Sequence, residues 1–180
     1  MKKTILKFGL FLLAVLLPMG CSSDEEDETR GTIIEQIDCG YETSTFFNEQ
    51  VPFLGGKCPY LYDNKAHVTR DYLIINNEDD YINTFSEYEG ILPEIDFSKY
   101  SLVIGSLLCQ QPQKKGDKIP TEPKQQFLYK TNDGYAMELH YSYEKVGSDD
   151  VITQIIQYVN FWGIYPKLED KEIKMYLKFV

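Results

Sequence analysis

The 180-residue chain carries 28 acidic against 18 basic residues, a net charge of −10 that repels polyanions and argues against a nucleic-acid partner. Its length suits one domain with a real hydrophobic core. Fourteen tyrosines and ten phenylalanines, with many isoleucines and valines, favour strands over helices.

Residues 1–20 read as a cleaved secretory leader. Lys2, Lys3 and Lys7 precede an apolar run from Phe8 to Leu17, and Pro18-Met19-Gly20 leads directly to Cys21. The run is shorter than the roughly 20 apolar residues a spanning helix needs. A cysteine directly after a small residue at this point resembles the bacterial lipobox. Pro18 stands where that motif usually holds Leu, with Leu17 one step further back, as in the looser form found in Bacteroidetes. The resemblance implies cleavage before Cys21, lipid on its thiol and a membrane as partner. Two or three acyl chains, at about 0.8 kcal/mol per buried methylene, anchor durably where one does not.

The next residues, Ser22-Ser23-Asp24-Glu25-Glu26-Asp27-Glu28, form a block of like charge, so 21–30 is expected to be a solvated tether. The block also resembles the acidic export signal of Bacteroidetes lipoproteins displayed on the outer surface. Residues 31–180 are then a single domain.

Three cysteines follow the lipidation site. In an oxidising compartment Cys39 and Cys58 are the preferred disulfide, since both lie in irregular, Gly- and Pro-containing sequence; three free thiols are the alternative. Cys109 ends an apolar run and reads as a small buried hydrophobe.

In chain order, Ile33, Ile34 and Ile37 give a weak strand signal, and 42–65 reads as mostly loop because of Pro52, Gly55-Gly56 and Pro59. Residues 70–76 predict a strand. Asn77 then caps a short helix over 78–88, with Glu78, Asp79 and Asp80 in its first turn and Tyr81, Ile82, Phe85 and Tyr88 at helical spacing. Residues 101–108 predict a central strand and 110–122 a loop. Residues 125–131 and 135–143 predict a hairpin through Asn132-Asp133-Gly134. Val151, Ile152, Ile155 and Ile156 have helical spacing, yet β-branched and aromatic residues dominate, so most of 152–165 is expected to be strand. Residues 171–180 alternate as a half-buried antiparallel strand.

No nucleophile elbow, phosphate loop, metal-binding helix or Cys-x-x-Cys pair is present. His67 and His140 share no context, and His140 reads as an exposed strand residue. No metal, no cofactor and no catalytic residue are expected. Tyr60, Tyr62, Trp162 and Tyr165 are candidate binding aromatics, large amphipathic side chains near loops or strand ends.

Asp71-Tyr72-Leu73-Ile74-Ile75-Asn76-Asn77-Glu78, Leu92-Pro93-Glu94-Ile95-Asp96-Phe97-Ser98-Lys99 and Tyr165-Pro166-Lys167-Leu168 resemble small lipoproteins of unknown function from Bacteroidetes. More weakly, they resemble the domain of lipoproteins that stabilise a surface protease complex. That family's Gly-Gly-Tyr motif is replaced here by Gln113-Lys114-Lys115-Gly116-Asp117.

The expected fold is α+β, an antiparallel sheet of about five to seven strands with one short helix packed on it. The expected role is a lipid-anchored, non-enzymatic binding or assembly module of the outer membrane, displayed at the cell surface, with a protein or glycan partner. Its alternatives are a partner or inhibitor of a surface protease, a glycan-binding accessory protein, and a hydrolase with an unidentified carboxylate pair.

Overall fold

The computed structural model describes residues 31–57, 61–63, 68–114, 122–141 and 152–180. The leader, Cys21 and the tether lie outside these residues, as do Cys58, Tyr60 and His67. In chain order the elements are β1 (Thr32–Ile34), α1 (Gly40–Lys57), β2 (Leu61–Asp63), β3 (Val68–Arg70), β4 (Tyr72–Ile75), α2 (Glu78–Thr84), β5 (Tyr100–Lys114), β6 (Gln125–Lys130), β7 (Tyr135–Tyr141), β8 (Ile152–Pro166) and β9 (Ile173–Phe179). Seven strands form two sheets, in the orders β1-β6-β7-β9 and β4-β5-β8, and β2-β3 is a separate antiparallel pair. The α+β class therefore holds, with two helices in place of one.

The second helix, α1, corrects the expected loop. Phe47, Val51 and Leu54 recur at i, i+4 and i+7, a helical stripe partly hidden in the sequence by Pro52. A proline inside a helix costs about 3 kcal/mol. Phe46, Phe47 and Val51 are all buried here, at about 1.5–3 kcal/mol each, and together they outweigh it. The helix begins where Asp38 Oδ1 accepts the N–H of Gly40 at 2.9 Å, with Gly40 at φ 79°.

Helix α2 is capped as its sequence predicts: Asn77 is extended and its Oδ1 accepts from the N–H of Asp80 at 2.8 Å. The helix stops at Thr84 and not at Tyr88: Phe85 is its C-cap, and the N–H of Tyr88 bonds to Phe85 O at 2.9 Å in a tighter turn.

The three-stranded sheet is the middle layer. Leu102 and Ile104 of β5 and Ile164 of β8 pack with Phe46, Phe47, Val51, Tyr81 and Phe85 of the helices. From the opposite face, Val103, Leu107, Val159, Phe161 and Tyr165 pack against Leu128, Met137, Leu139 and Ile173 of the four-stranded sheet. Burial on both faces explains why the run beginning at Ser101 is almost wholly apolar.

Three strand expectations change. The strand over 70–76 divides at Asp71, since Val68–Arg70 pairs with β2 and Tyr72–Ile75 with β5. Strand β5 continues through Lys114 into the expected loop, pairing with β8 over fifteen residues. Pro112 is tolerated because it belongs to the residues whose main-chain groups point away from β8, so its missing N–H removes no bond between the two strands. Strand β9 lies parallel, not antiparallel, to β7, with Tyr135 opposite Ile173 and Tyr141 opposite Phe179. Alternation fixes which face a strand buries and carries no information about its neighbour's direction.

The hairpin β6-β7 and the strand β8 form as predicted. At the end of the β5-β8 pair, Lys167 joins two segments: Nζ donates to the main-chain oxygens of Asn76, at 2.6 Å, and Phe97. Beside it, the buried Ser101 hydroxyl donates to Asn76 Oδ1 and accepts from the N–H of Leu168 at 2.8 Å.

Candidate functional site

An open cleft of about 390 Å³ lies between the start of β6 and β8, at the lower end of the roughly 300–1,000 Å³ usual for ligand sites. Gln36, Asn48, Gln126, Asn160, Phe161 and Trp162 are among the residues that line it. Trp162 and Asn160 share one face of β8 and Phe161 takes the other, so the cleft follows the edge of the strand and not a sheet face. In its sheet β8 is an edge strand.

The wall is built from carboxamides. Gln126 Nε2 donates to Gln36 Oε1 at 2.6 Å, to the main-chain oxygen of Trp162 at 2.6 Å and to the Tyr165 hydroxyl at 3.2 Å. Trp162 packs on Phe47, with ring centroids 5.0 Å apart, and its Nε1 donates to Asn48 Oδ1 at 2.6 Å. Gln36 and Asn48 thus spend their oxygens on the wall, which leaves their amide nitrogens to donate. Asn160 is 8% exposed, and its Oδ1 has no hydrogen-bond partner among the described residues. The same holds for the hydroxyl of Ser106, its cross-strand neighbour. Buried polar atoms are almost always paired, with protein groups or with ordered water.

Of the two candidate aromatics whose side chains are described, Trp162 lines the cleft and Tyr165 does not. Tyr165 is 1% exposed and belongs to the core, where burial pushes its phenol well above the usual range. This is a correction, and its cause is parity: three residues along a strand point to the opposite face. Trp162 and Tyr165 therefore do not share one face. Tyr62 belongs to β2, and Tyr60 lies outside the described residues.

Cys39 Sγ lies 3.6 Å from the Ser44 hydroxyl, and Cys58, its expected partner, lies outside the described residues. Cys109 lies within β5. His140 is half-buried and not exposed. Its side chain is 18% exposed, edge-on to Phe127 at 5.2 Å and 3.3 Å from Glu138 Oε2, while Lys178 Nζ is 3.1 Å from the other oxygen of Glu138. Among the described residues no group of three or more His, Cys, Asp or Glu side chains is placed to hold a metal, and no helix is long and apolar enough to cross a membrane.

The sequence analysis missed Gln36, Asn48, Gln126 and Asn160. Only Asn160 carried a signal, as the one polar residue in the otherwise apolar and aromatic run 158–165. No family model, no curated protein and no solved structure matches this chain.

Proposed function

We propose that this chain is a lipoprotein of the bacterial cell envelope, held in the outer membrane by lipid at Cys21 and displayed at the surface, and that it binds rather than catalyses. The cleft beside β8 is its binding site. The observation that carries the reading is the carboxamide lining of Gln36, Asn48, Gln126 and Asn160. Carboxamides hold hydrogen-bonding ligands in place and neither release nor take up a proton near neutral pH, and the two charged lining residues, Glu122 and Lys124, are exposed at the cleft's rim.

A photo-crosslinking residue at Lys124, which lines the cleft, should trap a partner in intact cells, while the same residue at Ile82, exposed on α2, should not. Equal trapping at both positions, or none at Lys124, would sink the reading.

A glycan is the second reading. The half-buried Trp162 beside free amide donors suits a hydroxyl-bearing ligand, and soluble oligosaccharides would then shift the emission of Trp162.

A further inference from the structure

We propose that the free edge of β8 beside the cleft docks an extended peptide segment of a partner protein, which adds to the sheet as a further strand starting opposite Asn160. This rests on the binding reading above and names its ligand class.

The phase of the strand comes from three bonds. In an antiparallel pair, the N–H and C=O of one residue point the same way, and the direction alternates along the strand. Ile164 O accepts from the N–H of Ile37 at 2.7 Å, and Trp162 O accepts from Gln126, so even-numbered residues of β8 point outward. Lys167 N–H reaches Lys99 O at 2.8 Å, so odd-numbered residues point to β5. The register runs without a break over all fifteen pairs. Asn160 and Tyr158 therefore turn their main-chain N–H and C=O outward.

Among the described residues, the edge is closed at one end only. Ile37 and Gln126 occupy the carbonyls of Ile164 and Trp162, the first with a main-chain bond such as a neighbouring strand would make. At Asn160 the edge meets the cleft, and no described strand lies beyond it. Outward groups then recur every two residues, about 6.6 Å, the repeat of an extended backbone.

Edge strands are normally blunted by shortness, charge, proline or a bulge. The other edges of the two sheets follow that rule. β1 and β4 have three and four residues, β9 carries Lys174 and Lys178, and the free side of β5 carries Pro112 and Lys114. β8 spans fifteen residues, has no charged residue and meets no proline before Pro166. Such an edge is suited to being paired. A second copy is the poorer occupant, because a net charge of −10 repels it. An uncharged or basic extended segment meets the outward main-chain ladder and is not repelled by the chain's net charge of −10.

The test uses random ten-residue peptides displayed on phage and selected on the immobilised full chain in detergent. Synthetic copies are then titrated by the emission of Trp162, the chain's single tryptophan. Selected peptides should bind, and N-methylation of alternate peptide nitrogens should weaken them at least tenfold. Tyr158→Pro removes an outward N–H and spares the β5 ladder, so it should weaken them at least tenfold relative to Tyr158→Ala, which loses the same half-buried ring. The N-methyl comparison stands even where that variant fails to fold. Failure to enrich any peptide, or binding indifferent to N-methylation, would overturn the proposal. A concentration-dependent dimer abolished by Tyr158→Pro would assign the edge to a second copy instead. Oligosaccharides that shift Trp162 emission where no peptide does would overturn the peptide and leave the binding reading standing.

Discussion

Gln126 reaches from β6 to the main-chain oxygen of Trp162 at 2.6 Å, so one side chain occupies the edge of β8 at the cleft and ties the two sheets together there. Gln126→Ala should cost about 1–2 kcal/mol in urea unfolding, the worth of one or two neutral hydrogen bonds, and should move the emission of Trp162 to longer wavelength. Unchanged stability and emission would mean that water replaces the carboxamide at no cost.

Gly105 faces Phe161 across β5 and β8, and a Cβ at this glycine would lie 1.9 Å from Phe161 Cζ. The ring is buried between the sheets, so shifting it disturbs the core around it. Gly105→Ala should therefore destabilise by about 1–3 kcal/mol, as overpacking does. Adding Phe161→Leu should recover part of the loss, a non-additivity that urea unfolding of the single and double variants would reveal.

Asp96 accepts from Lys99, whose Nζ lies 2.6 Å from Oδ2, and from Ser98, and these bonds hold its carboxyl down to about 2 from 3.8. A carboxylate favoured in the folded state adds stability that is complete above its unfolded value and is lost as pH falls from about 4 to about 2. Carboxyl NMR should give Asp96 a midpoint near 2. A midpoint near 3.8 would show that the turn before β5 does not hold these bonds in solution.

Burial pushes the phenols of Tyr81 and Tyr165 far above the usual 10.0. A raised folded value favours the neutral form, so this stability is present below pH 10 and declines as pH climbs toward the folded values. Spectrophotometric titration should show these two tyrosines ionising together with loss of the fold. Ionisation of every tyrosine near pH 10 in the folded protein would contradict the packing of both.

Elements with local signals were legible in the sequence. Asn77 with three acids marks α2, Asp133-Gly134 marks the hairpin, and clean alternation marks β9. Elements decided by burial were not. Pro52 hides α1, whose stability comes from Phe46, Phe47 and Val51 packing on a sheet formed far along the chain. The parallel sense of β9 depends on where β8 delivers the chain, which no local pattern records. The cleft was less legible still. Gln36, Asn48, Gln126 and Asn160 come from four separated segments, and only the pairing of strands brings them together. Tyr165 shows the opposite failure, an aromatic near a strand end that the core claims.

Retention of this folded body at the envelope is tested most directly by the intact mass of the chain extracted from its native membrane. A chain that begins at Cys21 and carries two or three acyl groups is the predicted species. A chain that still begins at Met1, or one with an unmodified thiol at Cys21, would contradict the proposed anchoring.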